Sequence, residues 1–270
     1  MFTLINASGD TLDIVLARRH AFDVSGMGYE RATEYIQAGN RFIPLDNRYA
    51  QGKIGGSMRF KPLTAYTDYY ALVRFTDNAP LTLRYTNSNG VYYRDVVMST
   101  VERGELLTSD DRVITFELTA LGLWYRIATA INDGEVTNGK IYDYTYPYTY
   151  GEQSGVVRIQ SDSYEDSPAK LTIFGPVTNP TWRHIVNGEV IATGAVNASV
   201  PADMKLVIDA TVTPYRIETE RLNNEFVTDY YGSSDFSTER FIILRHGLNV
   251  ITVETETQIM IEGRLSYASV

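Results

Sequence analysis

With 270 residues, 44% of them hydrophobic, the chain can hold one large domain or two of ordinary size. It has no cysteine, which excludes a disulfide scaffold, a thiol nucleophile and a thiolate metal site. The formal net charge of −9 falls on the second half alone: residues 1–132 carry 14 basic and 14 acidic side chains, residues 133–270 carry 10 and 19.

An acidic domain repels phosphates and is a poor nucleic-acid binder. The neutral half can approach copies of itself without long-range repulsion. The plainer reading of the acidity is that it keeps the second half soluble. The opening Met1–Asn6 has no basic n-region and no long apolar core, so no signal peptide is expected. No apolar run approaches the roughly 20 residues of a membrane-spanning helix. Asn6-Ala-Ser8 and Asn197-Ala-Ser199 match the glycosylation pattern and are read as chance matches.

Phe2–Asn6 and Leu12–Leu16 are short strands joined by a turn at Ser8-Gly-Asp10. Phe22–Asn47 is less regular, and its apolar residues hold neither period for long. It reads as a hairpin or a long excursion. The aromatic and aliphatic residues Tyr29, Tyr35, Ile36, Phe42 and Ile43 argue against disorder. An ordered arm packing on a neighbouring subunit is the preferred account.

Gly55–Ser99 organises the rest. Ser57–Lys61 is extended and ends at Pro62, and Thr64 is a candidate N-cap. Tyr66, Tyr69, Tyr70 and Val73 recur at helical spacing, which predicts a helix over 65–75 with those four residues buried. Asn78-Ala-Pro80 stops it. Leu81, Leu83 and Tyr85 alternate as a strand, Asn87-Ser-Asn-Gly90 turns, and Val91–Met98 returns. Val113–Leu118 is a further strand, and Leu121–Trp124 closes the first unit. Turn signals at Ile131–Gly134 and Val136–Gly139 place a domain boundary there, giving domains 1–132 and 133–270.

The second domain reads as strand and turn only. Tyr142, Tyr144, Tyr146, Tyr148 and Tyr150 share one face of Ile141–Tyr150. They read as a ladder packing on a neighbour; the alternative is a stacking platform for sugars or bases. Further strands are expected at Val156–Gln160, Ala169–Phe174, Trp182–Val186, Glu189–Thr193, Lys205–Ile208, Tyr215–Glu218, Phe241–Leu244, Asn249–Thr255 and Gln258–Tyr267. Asn187-Gly188 is the strongest hairpin signal. Leu222–Glu239 reads as a long loop. Short strands at this spacing indicate a β-sandwich.

Chemistry is hard to find. His20, His184 and His246 form no helical metal motif, and His184 on a strand reads as a packed or surface residue. There is no nucleophile elbow, phosphate loop or calcium loop, and Ser161–Asp166 lacks the calcium-loop order. Glu218 with Glu220, and Glu254 with Glu256, place carboxylates on one strand face. Glycoside hydrolysis needs such a pair, but a solvated edge gives the same pattern. No catalytic, cofactor-binding or metal residues are assigned, and no enzyme is expected.

The ordered pattern of MRF, YTDYYALVRF, LTLRY, a turn, YYRDV and Glu102-Arg-Gly-Glu105 resembles the distal tail protein family of long-tailed, non-contractile phages. Tyr142–Tyr150, Ile173-Phe-Gly175, Asn179-Pro180, Asn187-Gly188, Leu206–Asp209 and Phe241–Ile251 look like that family's C-terminal domain. The resemblance covers nearly the whole chain. It implies a mainly β protein of two tandem β-sandwich domains, the first with a single α-helix and a β-hairpin, the second galectin-like. It further implies a virion protein of the phage tail tip, made in the host cytoplasm. Six copies would form a ring that joins the tail tube protein to the tail-associated, fibre or receptor-binding protein. DNA would only pass through its bore, and no membrane or cofactor would be involved.

The alternative is a lectin-like protein that binds cell-wall glycans through the Tyr142–Tyr150 face or Trp182. Galectins read sugar with His, Asn-Pro-Arg and Trp-Glu-Arg. Here Thr181 follows Asn179-Pro180, His184 comes after it, and Trp182 lacks the charged partners, so the sugar site is not carried over.

Overall fold

The computed structural model describes residues 2–16, 19–62, 64–106, 112–132, 155–254 and 257–270. The protein is mainly β, with a single α-helix among the described residues. It divides into two compact units, Met1–Tyr125 with Tyr267–Val270, and Arg126–Ser266.

In the first unit the strands form one antiparallel run. Its order is Val15–Leu16, Arg19–Ser25, Lys53–Phe60, Arg112–Ala120, Gly90–Leu106, Leu81–Asn87, Phe2–Ile5 and Thr11–Asp13. The 17-residue strand Gly90–Leu106 is shared: Leu81–Asn87 pairs with its first part and Arg112–Ala120 with its second. Register shifts along Arg112–Ala120 bend it. Both ends of the run therefore face one core, formed by Leu4, Ile54, Phe60, Leu72, Leu83, Phe116 and Trp124 among others. The expected hairpin is present, with Asn87 opposite Gly90. The Asn87 side chain accepts a hydrogen bond from the Asn89 amide at 2.8 Å, and Gly90 takes positive φ.

The helix runs Ala65–Thr76, as expected, but its buried face is different. Ala65, Asp68 and Leu72 face inward, with Tyr69 and Phe75 packed against the core. Tyr66 is 47% and Tyr70 52% exposed. The sequence carries two stripes about one residue apart. Leu72 and Phe75 lose nothing on full burial, whereas a tyrosine hydroxyl needs a partner or water. Asp68 on the inner stripe disguised it. Tyr66 instead lies over the buried Arg112 guanidinium at 4.1 Å. Thr64 occupies the N-cap position without a side-chain cap; its carbonyl accepts from the Asp68 amide at 2.8 Å.

The second unit contains a four-stranded sheet ordered Val156–Ser161, Gly247–Val253, Thr181–Val186, Glu189–Ala195. A further run is ordered Phe226–Asp229, Arg216–Arg221, Met204–Asp209, Ser167–Phe174, Ile259–Tyr267. They face each other at Gly263, where an added Cβ would stand 3.7 Å from Ile159 and 2.4 Å from Leu244. Asn187 and Gly188 both take positive φ in the expected hairpin. The segment expected as a loop, Leu222–Glu239, holds the edge strand Phe226–Asp229 and a short 3-10 turn at Tyr231–Ser233. Polar and aromatic residues alternate there on an edge that water reaches, so the strand carries no apolar face to betray it. Ile141–Tyr150 and its tyrosine face lie outside the described residues.

Two substitutions separate the two helix stripes. Leu72→Ala should cost about 2–5 kcal/mol by chemical denaturation, and Tyr70→Ala should stay within about 0.5 kcal/mol. Equal losses would restore the tyrosine stripe to the core.

Candidate assembly surface

Between Ser25 and Lys53 the chain leaves the first unit's core and returns. Among the described strands Arg31–Ala38 and Arg41–Tyr49 pair only with each other, as a two-stranded hairpin turned at Gly39. At about 3.3 Å per residue this arm is roughly 26 Å long. Tyr35 lies opposite Pro44, Ile36 opposite Ile43 and Gln37 opposite Phe42. A register shift between Glu34 and Tyr35 leaves Leu45 as the extra residue. Apolar side chains thus stand on both faces of the outer half. Phe42 is 69% and Leu45 66% exposed, and Tyr35, Ile36 and Ile43 are also exposed. The inner half is polar, with Arg31, Thr33, Glu34, Asp46, Asn47 and Arg48. At its base the Arg31 guanidinium stacks on Tyr49 at 4.7 Å and donates to its hydroxyl at 3.0 Å.

The arm's two roots are fixed by the core. The buried Trp124 indole donates to the Met27 carbonyl at 3.1 Å on the outgoing side. On the returning side the Ala120 amide donates to the Gly52 carbonyl at 2.8 Å, and Gln51 Nε2 donates to the Ala120 carbonyl at 3.4 Å. Arg94, 3% exposed, lies over the Trp124 ring at 5.4 Å and donates from Nε to the Gly122 carbonyl at 2.9 Å. Burial pulls its guanidinium below the ordinary arginine value. A Cβ on Gly52 would stand 2.4 Å from Arg94 Nη2, so a side chain there would displace the guanidinium. Ala50–Gly52, Arg94 and Ala120–Leu123 line a cavity of about 320 Å³ there. Sequence reasoning missed Arg94 and Trp124 as the anchor. The only available signal was a lone arginine in an alternating strand.

The sites weighed from sequence are dispersed. Trp182 is buried, donates from Nε1 to the Arg240 carbonyl at 2.9 Å, and covers Gly194 so closely that a Cβ would stand 2.2 Å away. It therefore presents no face to a sugar. His184 is fully buried, with Nε2 2.9 Å from the Asn249 side-chain oxygen. That oxygen also accepts from the Arg245 amide, so the His184 Nε2–H is the donor. Nδ1 has no partner among the described residues, and burial pushes the imidazole pKa down. Glu220 pairs with Lys205 at 2.9 Å, Glu254 with Arg183 at 3.0 Å and Glu218 with Arg216 at 3.7 Å. Glu256 lies outside the described residues. Burial raises the Glu218 pKa, and Glu218 lines an open cavity of about 480 Å³ with Tyr215, Phe226, Asp229 and Tyr231. Asp162 pairs with Arg126 at 3.1 Å and Asp166 with Arg245. No group of three His, Asp or Glu among the described residues could hold a metal. Asn6 is buried and its side chain organises the Ser8–Asp10 turn, accepting from both amides.

Residues 1–120, the stretch that carries the arm and Arg94, match the family described as the distal tail protein, N-terminal domain. Residues 1–120 are thus identified as a distal tail protein N-terminal domain. No curated protein matches the chain in sequence. Among solved structures, a chain of the phage p2 baseplate in its activated conformation with strontium is 15% identical. The match covers 100% of this chain and 99% of that one at a TM-score of 0.71. The same baseplate with calcium gives 12% identity, the same coverage and a TM-score of 0.70. The SPP1 Dit protein, described as a paradigm of hub adsorption apparatus in phages infecting Gram-positive hosts, is 9% identical. That match covers 97% of this chain and 98% of that one at a TM-score of 0.63. At these identities the likeness is one of fold. The arm and Arg94 lie within the matched residues, and Trp124 stands just beyond them.

His184 makes the second unit sensitive to mild acid. The unfolded histidine binds a proton near pH 6.5, whereas the folded one stays neutral below that value. Stability is therefore complete above about pH 6.5 and is lost as pH falls through it. Melting temperature should fall between about pH 7.5 and 5.5. His184→Gln, which keeps a donor for Asn249, should flatten that slope; an unchanged slope would assign it elsewhere.

Proposed function

We propose that the chain is the distal tail hub of a phage, a structural protein whose first domain closes with copies of itself into a six-fold ring. The observation that carries this reading is the arm, whose apolar outer half finds no cover within its own sheet. A lone two-stranded hairpin is marginal in water, and exposed apolar surface of this kind marks a docking face. Seating each arm on the next copy is a heterologous contact, and such contacts close into rings when the rotation permits. The absence of net charge over residues 1–132 removes long-range repulsion between copies.

The domains are 1–132, a ring-forming β-sandwich, and 133–270, a galectin-like β-sandwich projecting outward. One ring face meets the tail tube protein. The other meets the tail-associated, fibre or receptor-binding protein that contacts the host. The bore passes DNA and carries more acid than base, so that phosphates do not adhere. The protein acts in the virion at the tail tip after synthesis in the host cytoplasm, uses no cofactor and catalyses no reaction. The family of the first domain and the baseplate and hub structures of the same fold support this reading.

Negative-stain images of the purified protein should show six-fold rings. Ile36→Glu with Phe42→Glu should weaken association at least about tenfold, or about 1.4 kcal/mol, in sedimentation experiments. The melting temperature of the dissociated form should be unchanged, because both side chains are exposed. Rings that survive the double substitution would remove the arm from the interface. A wild-type protein that stays monomeric at every concentration would reject self-assembly.

A further inference from the structure

The cavity at the arm's root contains an incomplete ion site. Arg94 is 3% exposed, yet among the described residues its guanidinium makes one hydrogen bond, from Nε to the Gly122 carbonyl. Nη1 is buried with no acceptor. Withdrawing a charge from water without acceptors is costly, and the Trp124 ring at 5.4 Å offsets only part of that cost. The neighbours do not close the gap. Gly52 brings no side chain, and the Ala120 and Gly122 carbonyls already accept from Gln51 and from Arg94 Nε. A planar guanidinium with unused terminal amino groups matches a carboxylate, which can accept two parallel N–H bonds from it. The cavity's volume of about 320 Å³ has room for such a group and its aliphatic stem.

We propose that this cavity is a carboxylate-binding site centred on Arg94, and that its occupant is an acidic side chain of a neighbouring copy of this chain. The neighbour follows from position. One wall of the cavity, Ala50–Gly52, is the returning root of the arm. A copy that packs along the arm from its apolar tip reaches that root. Leu121, exposed beside the cavity, offers that copy an apolar contact. The pair excludes water from the charge and sets the angle at which the arm leaves the core. The carboxylate site stands on the chain's own geometry, whereas the identity of its occupant rests on the ring reading.

The test follows the Arg94 Nε–H resonance in the full-length protein, identified by its loss in Arg94→Lys. Should that variant fail to fold, Gly52→Ala, whose methyl group displaces the guanidinium, identifies it by a shift. Sodium propionate should move the resonance saturably. Sodium chloride at equal ionic strength and neutral propionamide should not. No shift, or an equal shift with chloride or propionamide, overturns the carboxylate site. In sedimentation experiments propionate, but not chloride, should lower the oligomer fraction. An oligomer indifferent to propionate overturns the neighbouring copy as occupant. A protein monomeric at all concentrations rejects the ring and that occupant together, while the resonance still decides the site.

Discussion

A buried tryptophan and a buried arginine hold the arm, and the architecture of the first unit depends on that pair. The indole N–H of Trp124 reaches the outgoing root at Met27, and the guanidinium stacked on the same ring sits against the returning root at Gly52. The first contact satisfies a polar group that burial would otherwise penalise, whereas the second leaves Arg94 Nη1 without an acceptor among the described residues. The arm therefore leaves the core from a rigid base, although among the described strands it pairs only with itself.

That base explains why a hairpin with aromatic and aliphatic side chains on both faces can exist at all. A sheet with one buried face alternates apolar and polar residues. The arm breaks this rule over Tyr35–Ala38 and Phe42–Leu45, because neither face of its outer half is covered by its own core. The bulge at Leu45 increases local twist, which also blunts unspecific edge pairing. Polar residues near the base keep the inner half in water.

The second unit follows the opposite rule and folds several polar side chains inward onto partners. Asn249 is fully buried; its oxygen accepts from His184 Nε2 and the Arg245 amide, and its nitrogen donates to the Arg245 and Gly247 carbonyls. Trp182 spends its one donor on Arg240 and its face on Gly194. Residues that looked like ligand contacts in the sequence are thus packing elements, and the exposed carboxylate of Glu254 pairs with Arg183 at the surface.

Local chemistry determined much of this protein from sequence alone. The helix over 65–76, the Asn87–Gly90 and Asn187–Gly188 hairpins, the alternating strands and the two-part charge distribution all depend on neighbours within a few residues. The order of those pieces was enough to suggest the family. Only the tertiary structure decided which helix stripe is buried, because the aliphatic and tyrosine stripes are almost equal in periodicity and only the core's shape and polarity choose between them. It also turned Trp182 and His184 inward, and set Arg94 and Trp124 beneath an arm much earlier in the chain, Trp124 meeting Met27 at a separation of 97 residues. Such long-range pairings leave no periodic trace, since a buried arginine and an exposed one have the same sequence context until the opposing backbone is in place.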